Sequence, residues 1–296
     1  MYFTPTLSSK ETSAHVREFV SEHRSELGSL MKSILPFLLF FLCANLYVQY
    51  FLSMAGVEFM RDVAMPETLS GYMQLMTDVQ RHSYGNILTW VSFVLQISIG
   101  YCFAVIAVSW HRLVLLGRGN YEPMDFLKPQ KHELDFVIMW TMLGTILPAS
   151  MVFFFQIDLW LIVLTLIILP YLFFKVSFYF PAKALNSSVS LKSSFQLTSG
   201  YFWKFSFAIM RSCIRVGVIY FLFALIVGSI AASLAQTLYG DQMTSDIVRS
   251  MYEQLIGQSI MSVILVFLFQ PLFTVLGVTV LSNYFQHAMQ NKTVEG

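Results

Sequence analysis

The chain reads as all-α: a polytopic membrane helix bundle with about six transmembrane helices and a cytoplasmic interfacial amphipathic helix between spans 4 and 5. Three observations predict this: the composition, the number and length of the apolar runs, and the way Lys and Arg are sorted among the connecting segments. Of 296 residues, 56% are hydrophobic and only 12% charged, and the mean hydropathy is +0.64. So few polar groups cannot solvate a globule of this size. A net charge of +1 gives no basic face with which to neutralise phosphates, which argues against a nucleic-acid partner. Cys43, Cys102 and Cys213 stand far apart in apolar sequence without a Cys-x-x-Cys pairing, so neither a disulfide framework nor a metal site is indicated.

Residues 1–32 are polar, with Lys10, Arg17, Arg24 and Lys32 set against Glu11, Glu18, Glu22 and Glu26. A cleaved signal would have a basic start and an immediate short apolar core. Here the first apolar run begins near Ser33 and is long enough to span, so these residues are expected to be a cytoplasmic segment and no signal peptide. Thr12 or Ser13 is placed to cap a short amphipathic helix carrying Val16, Phe19, Val20 and Leu27. That helix reads as a solvated leader or as one lying on the membrane surface.

A transmembrane domain over 33–285 follows, with spans near 33–54, 87–110, 135–156, 158–180, 205–238 and 257–285. Each exceeds the ~20 residues that cross about 30 Å of hydrocarbon, and the last two are long enough to tilt or protrude. Gln156, Ile157 and Asp158 join the third and fourth as a tight hairpin, with Asp158 at a helix N-terminus where a carboxylate caps free N–H groups. Residues 286–296 form a cytoplasmic tail.

Counting Lys and Arg sets the sidedness. With the N-terminus inside, the inner segments carry Lys10, Arg17, Arg24, Lys32, Arg112, Arg118, Lys128, Lys131, Lys175, Lys183, Lys192, Lys204 and Lys292, and the outer ones only Arg61, Arg81 and Arg249. Thirteen against three is the positive-inside bias of a protein with both termini cytoplasmic, and points to a bacterial inner membrane.

Polar groups within spans must find partners. Asn45 and Gln49 lie one turn apart on the first span, Gln96 on the second and Gln270 beside Pro271 on the sixth. They read as interhelical hydrogen bonds or as the lining of a substrate path. Ala224, Gly228 and Ala232 make a small-residue stripe that admits a close neighbour, within the chain or from a partner or second copy. Arg211 and Arg215 share one helical face. If the fifth span starts at Lys204 they lie about 10–17 Å along it. If it starts near Val216 they reach lipid headgroups from the interface. Prolines 36, 148, 170 and 271 can kink their helices. The repeated pattern Ile34-Leu35-Pro36-Phe37-Leu38 and Ile168-Leu169-Pro170-Tyr171-Leu172 hints at a three-plus-three duplication.

Residues 168–216 concentrate basic and aromatic side chains. Lys175, Lys183, Lys192, Lys204, Arg211 and Arg215 occur there with no acid, among Phe178, Tyr179, Phe180, Phe195, Tyr201, Phe202 and Trp203. Lys183, Lys192, Trp203, Lys204, Arg211 and Arg215 are the candidates for lipid or partner binding. From Ser188 to Gly200 the pattern predicts a short amphipathic helix, capped by Ser187 or Ser188, with Leu191, Phe195 and Thr198 at helical spacing and Gly200 as terminator.

The segment Ser190-Leu191-Lys192-Ser193-Ser194-Phe195-Gln196-Leu197-Thr198-Ser199-Gly200, with Trp203 following, resembles the YciC-like family of bacterial six-span inner-membrane proteins. It is also similar to the membrane domain fused to some glycerophosphodiester phosphodiesterases. Phe195 stands where those families often have Trp, and Gln196 where they often have a basic residue. The resemblance implies an inner-membrane bundle with an interfacial helix, and it implies no reaction.

No His-Glu-x-x-His, phosphate-binding loop or Gly-x-Ser-x-Gly occurs. His111 and Arg112, with His132, Glu133 and Asp135, form the one close ionisable cluster on the basic side and read as surface charge. No cofactor is indicated. The expected function is therefore a non-enzymatic membrane protein that contacts lipid or a partner in envelope homeostasis or complex assembly. A small-solute or lipid transporter is the alternative, and a membrane enzyme ranks third.

Overall fold

The computed structural model describes residues 8–61, 87–155, 168, 170–239, 257 and 259–294, and every regular element among them is helical. In chain order these are α1 (Ser9–Glu22), α2 (Arg24–Arg61), α3 (Ile87–Leu116), α4 (Lys131–Phe155), a helical stretch over 170–177, α5 (Tyr179–Ala184), α6 (Leu191–Leu197), α7 (Phe202–Tyr239) and α8 (Gln270–Val294). A π-turn at Leu265–Phe269 precedes α8. Four stretches are long and apolar enough to cross a membrane: Arg24–Leu52, Ile87–Leu116, Phe202–Ile230 and Ser259–Asn291. They coincide with the first, second, fifth and sixth predicted spans. α4 covers the third predicted span. About half of the fourth, residues 158–167 and 169, lies outside the described residues together with the Gln156 to Asp158 hairpin.

The chain packs as two compact units. One comprises Met1–Pro36, Gly100–Gly217 and Gln270–Gly296, the other Phe37–Ile99 and Val218–Phe269. Three of the four passages between them fall at a residue that weakens a helix, and the fourth, between Phe269 and Gln270, falls just before one. Pro36 and Pro271 lack an N–H, and Gly100 and Gly217 lack a side chain. At the last passage, Pro271 deprives the Phe267 carbonyl of its usual donor, and the helix widens there into the π-turn.

In the first unit α1 is neither a solvated leader nor a free surface helix. Its cap is Ser8, whose hydroxyl accepts from the Glu11 N–H at 3.4 Å, rather than Thr12 or Ser13. Those two residues are buried inside the helix beside Val16 and Phe19. α1 packs against α8, where Asn283 Nδ2 donates to Thr12 Oγ1 at 3.2 Å. The Phe19 ring meets Trp110 of α3 edge-on, with centroids 6.1 Å apart. Of the expected apolar face, Val16 and Phe19 are buried on α1 and Val20 is half-buried, whereas Leu27 lies on α2, past the break at His23.

Much of the aromatic content of 168–216 is core. Phe174 contacts Phe178, Phe202 and Phe205, Phe178 contacts Phe285, and Phe205 contacts Tyr284. Centroid separations of 4.7 to 6.3 Å in tilted and edge-on geometry are those in which aromatic quadrupoles attract. The cluster ties the 170–177 stretch to α7 and α8. The loop after α3 is pinned as tightly. Gly117, at φ 76°, ends that helix by donating its N–H to the Leu113 carbonyl. Ser109 Oγ then accepts from Met124 N–H at 2.9 Å, and Tyr101 O–H donates to the Phe126 carbonyl at 2.6 Å.

Candidate functional site

Three polar arrangements stand out, two in the first unit and one in the second. The most buried is an ionic node at the start of α4. Glu133 is the third residue of that helix, and its carboxylate turns back to accept from the Gln130 N–H, half of a capping box. Its other oxygen lies 2.8 Å from Arg112 Nη2, with the two side chains 2% and 11% exposed. Two further Arg112 donors go to backbone: Nε to the Ala184 carbonyl at 2.8 Å and Nη1 to the Glu122 carbonyl at 3.3 Å. One guanidinium thus joins α3, α4, α5 and the connecting loop. The expectation of solvated surface charge is corrected here: the cluster is a packed crosslink, because the fork geometry of Arg can satisfy four acceptors at once.

His132 completes the node. Arg112 Nη2 lies 3.1 Å from His132 Nε2, and only an unprotonated Nε2 can accept from it. Burial, and then the neighbouring Arg112 charge, hold this imidazole below the ordinary histidine value. Lys183 sits beside the node, 3.3 Å from Asp135 and over the Tyr179 ring. Burial would lower its pKa, but the hydrogen bond to Asp135 and the further attraction of Asp135 and Tyr179 together outweigh that and raise it. Lys183 is therefore committed to the protein rather than offered to lipid.

His111 and Ser282 make a histidine–serine pair at 2.8 Å, parallel to Trp110 Nε1 donating to Thr279 Oγ1 at 2.8 Å. All four residues are closed to solvent, so no substrate reaches the serine and the pair joins α3 to α8. Among the described residues, no group of three His, Cys, Asp or Glu side chains could hold a metal ion.

The second arrangement is the surface of α6 and the first turns of α7. α6 is seven residues long and is capped by Ser190, which accepts from the Ser193 N–H, not by Ser187 or Ser188. Its inward side is polar: Ser194 donates to the Lys175 carbonyl at 2.9 Å, and the Thr198 hydroxyl donates to the Ser194 carbonyl at 2.9 Å. Leu191 and Phe195 point outward. Gly200, at φ 81°, turns the chain into α7. On α7, Phe205, Ala208 and Ser212 face the core, and Trp203, Phe207, Met210 and Ile214 form an exposed stripe in which Trp203 is 69% exposed. Lys204, Arg211 and Arg215 occupy the flank, about 100° round the helix from that stripe. Lys192, Lys204, Arg211 and Arg215 are all exposed. Arg211 has a further task, since it donates to Ser9 Oγ at 3.2 Å while its carbonyl accepts from Arg17 at 3.4 Å. No pattern in the sequence pairs those positions, which are 202 and 194 residues apart.

The third arrangement lies in the second unit. Gln49 Nε2 donates to Ser92 Oγ at 2.6 Å, and Ser92 donates to Asn45 Oδ1 at 3.0 Å. These amides therefore bind α2 to α3. Ser92 was missed because a lone serine in an apolar run carries no signal by itself. Gln96 is exposed and Gln270 half-buried at the start of α8, so the four amides do not form one cluster. In the small-residue stripe, Gly228 is exposed, and a side chain added there would meet nothing within 4 Å. Ala224 is half-buried, and the side chain of Ala232 lies outside the described residues.

No protein-family model, curated protein or solved structure matches the chain.

Proposed function

We propose that the chain is a non-enzymatic, six-span protein of a bacterial inner membrane, with both termini cytoplasmic, that holds anionic phospholipid against the α6–α7 surface and serves envelope homeostasis or the assembly of a membrane complex. The observation that carries this is the exposed stripe Trp203, Phe207, Met210 and Ile214 flanked by Lys204, Arg211 and Arg215, with Leu191, Phe195 and Lys192 outward on α6. Apolar and aromatic groups beside cations suit the headgroup layer, where rings sit at the interface and each nearby Lys or Arg gains about 1 kcal/mol from anionic lipid. α6 is then the interfacial amphipathic helix. The orientation is supported by charge: all thirteen basic residues assigned inside fall within the sequence ranges of the first unit. The likeness of the 190–203 segment to the YciC-like family supports the same class. The open side of Gly228 leaves room for a helix from a membrane partner or a second copy.

Native mass spectrometry of the detergent-purified protein beside a Lys192→Ala, Lys204→Ala, Arg215→Ala variant tests the reading. Arg211 is spared because it also anchors α1. Loss of retained phosphatidylglycerol in the variant is expected, and unchanged retention would reject the lipid role. A small-solute or lipid transporter is the second reading, favoured by Gln96, an exposed amide on the membrane-length helix α3. Flux that depends on Gln96 would support it.

A further inference from the structure

The C-terminal ends of α1 and α3 meet around a cavity of about 430 Å³, and no residue of α6 or α7 lines it. Its wall is apolar, from Phe19, Leu113 and Leu116. Its polar groups are of two opposed kinds. Arg118 forms an ion pair with the buried Glu26 carboxylate, Nε lying 2.7 Å from it, and with its side chain 75% exposed the guanidinium's terminal amino groups are open to a ligand. Glu22 brings an exposed carboxylate. His23 stacks on Phe19 with centroids 4.1 Å apart, and its Nδ1 lies 3.0 Å from the Phe19 carbonyl. A carbonyl only accepts, so Nδ1 carries the proton, and in the neutral ring Nε2 remains as an acceptor.

The cavity thus offers a guanidinium to an anion, and a carboxylate and an imidazole acceptor to a cation rich in N–H donors. Its depth narrows the choice. The cavity lies at the ends of two membrane-length helices, α3 ending at Leu116 and α2 beginning at Arg24, the side on which a chain set in a membrane faces the headgroups. We infer that it binds an ethanolamine phosphodiester, the headgroup of a zwitterionic phospholipid. The phosphate sits on Arg118, the ammonium on Glu22 and His23, and the glycerol end lies over Phe19, Leu113 and Leu116. A choline headgroup brings no N–H donor and leaves the acceptors unpaired. A glycerol headgroup brings no cation to set against Glu22. The inference rests on the chain lying in a membrane, but it uses none of the α6–α7 residues.

The test is native mass spectrometry of the full chain with equal amounts of dioleoyl phosphatidylethanolamine, phosphatidylcholine and phosphatidylglycerol. The wild type should retain ethanolamine lipid over choline lipid by roughly tenfold or more, the worth of one charge-assisted hydrogen bond. Glu22→Gln should abolish that preference and spare phosphatidylglycerol, and His23→Phe, which keeps the ring stack, should weaken it. The Lys192, Lys204, Arg215 triple variant should show the reverse pattern. Soluble glycerophosphoethanolamine distinguishes the sources: displacement of the lipid at millimolar concentration supports headgroup recognition, and binding without any lipid assigns a soluble ligand of the same chemistry. Equal retention of ethanolamine and choline lipids by the wild type, or a preference untouched by Glu22→Gln, would overturn the inference. A chain that fails to enter the membrane fraction would instead overturn the broader functional reading.

Discussion

Replacing Arg112 with alanine should destabilise the solubilised protein by about 3–5 kcal/mol, the cost of leaving a buried charge without its partner. Glu133 is 2% exposed and keeps its bond to the Gln130 N–H, so it cannot turn to water when the guanidinium is removed. The carbonyls of Ala184 and Glu122 lose donors at the same time. Equilibrium unfolding in mixed micelles reads this directly. Arg112→Lys should recover only part of the loss, because a single ammonium cannot reproduce the fork. Arg112→Leu with Glu133→Leu should recover more, since removing both charges leaves neither uncompensated. A pH series adds an independent arm. The imidazole of His132 is held below its ordinary value of 6.5 in the folded protein, so on acidification the unfolded chain takes the proton first. Stability should therefore fall as pH drops through about 6.5 and level off below the folded-state value. His132→Gln should flatten that limb. Unaltered stability in Arg112→Ala would mean that the node is solvated after all.

Trp110→Ala should cost a similar ~3–5 kcal/mol, by cavity formation rather than by charge. The indole is fully buried among α1, α3 and α8. Its removal strips dispersion contacts from Phe19 and leaves the Thr279 hydroxyl without its donor. In hydrocarbon, packing of this kind holds helices together because transfer from water contributes little. Trp110→Phe should lose only about 1 kcal/mol, the hydrogen bond alone. Protease accessibility near α1 should rise in Trp110→Ala, since Phe19 docks on this ring. A stability loss shared equally by both variants would assign the effect to the hydrogen bond and not to packing.

What the sequence disclosed and what it hid follow from the range of the interactions. Apolar run length is local, so the four membrane-length helices and the helix over 131–155 were legible before any coordinates. Caps are local too, yet a serine-rich stretch such as 187–194 offers several candidates, and only backbone geometry picks out Ser190. Charge sorting was legible as a count, and it follows the division of the chain into two units. The ionic node was not, because Arg112 and Glu133 look like loop charge until α5 and the 117–130 loop close over them. The aromatic residues of 168–216 divided in a way that composition cannot announce: Phe174, Phe178 and Phe205 went inward and Trp203 and Phe195 outward. The contact of Arg211 with Ser9 joins opposite ends of the chain and leaves no periodic trace.

The account joins a packed basic unit, an exposed aromatic and cationic surface, and membrane-length helices into one assignment of sidedness. Site-directed thiol labelling tests it most directly. In a background with Cys43 and Cys213 replaced by serine, and with Cys102 silent because it is fully buried, single cysteines are introduced as Lys128→Cys and Asp241→Cys. Right-side-out and inverted membrane vesicles are then exposed to an impermeant maleimide. The account predicts labelling at 128 only in inverted vesicles and at 241 only in right-side-out ones; labelling of both positions from one face, or the opposite pattern, would contradict it.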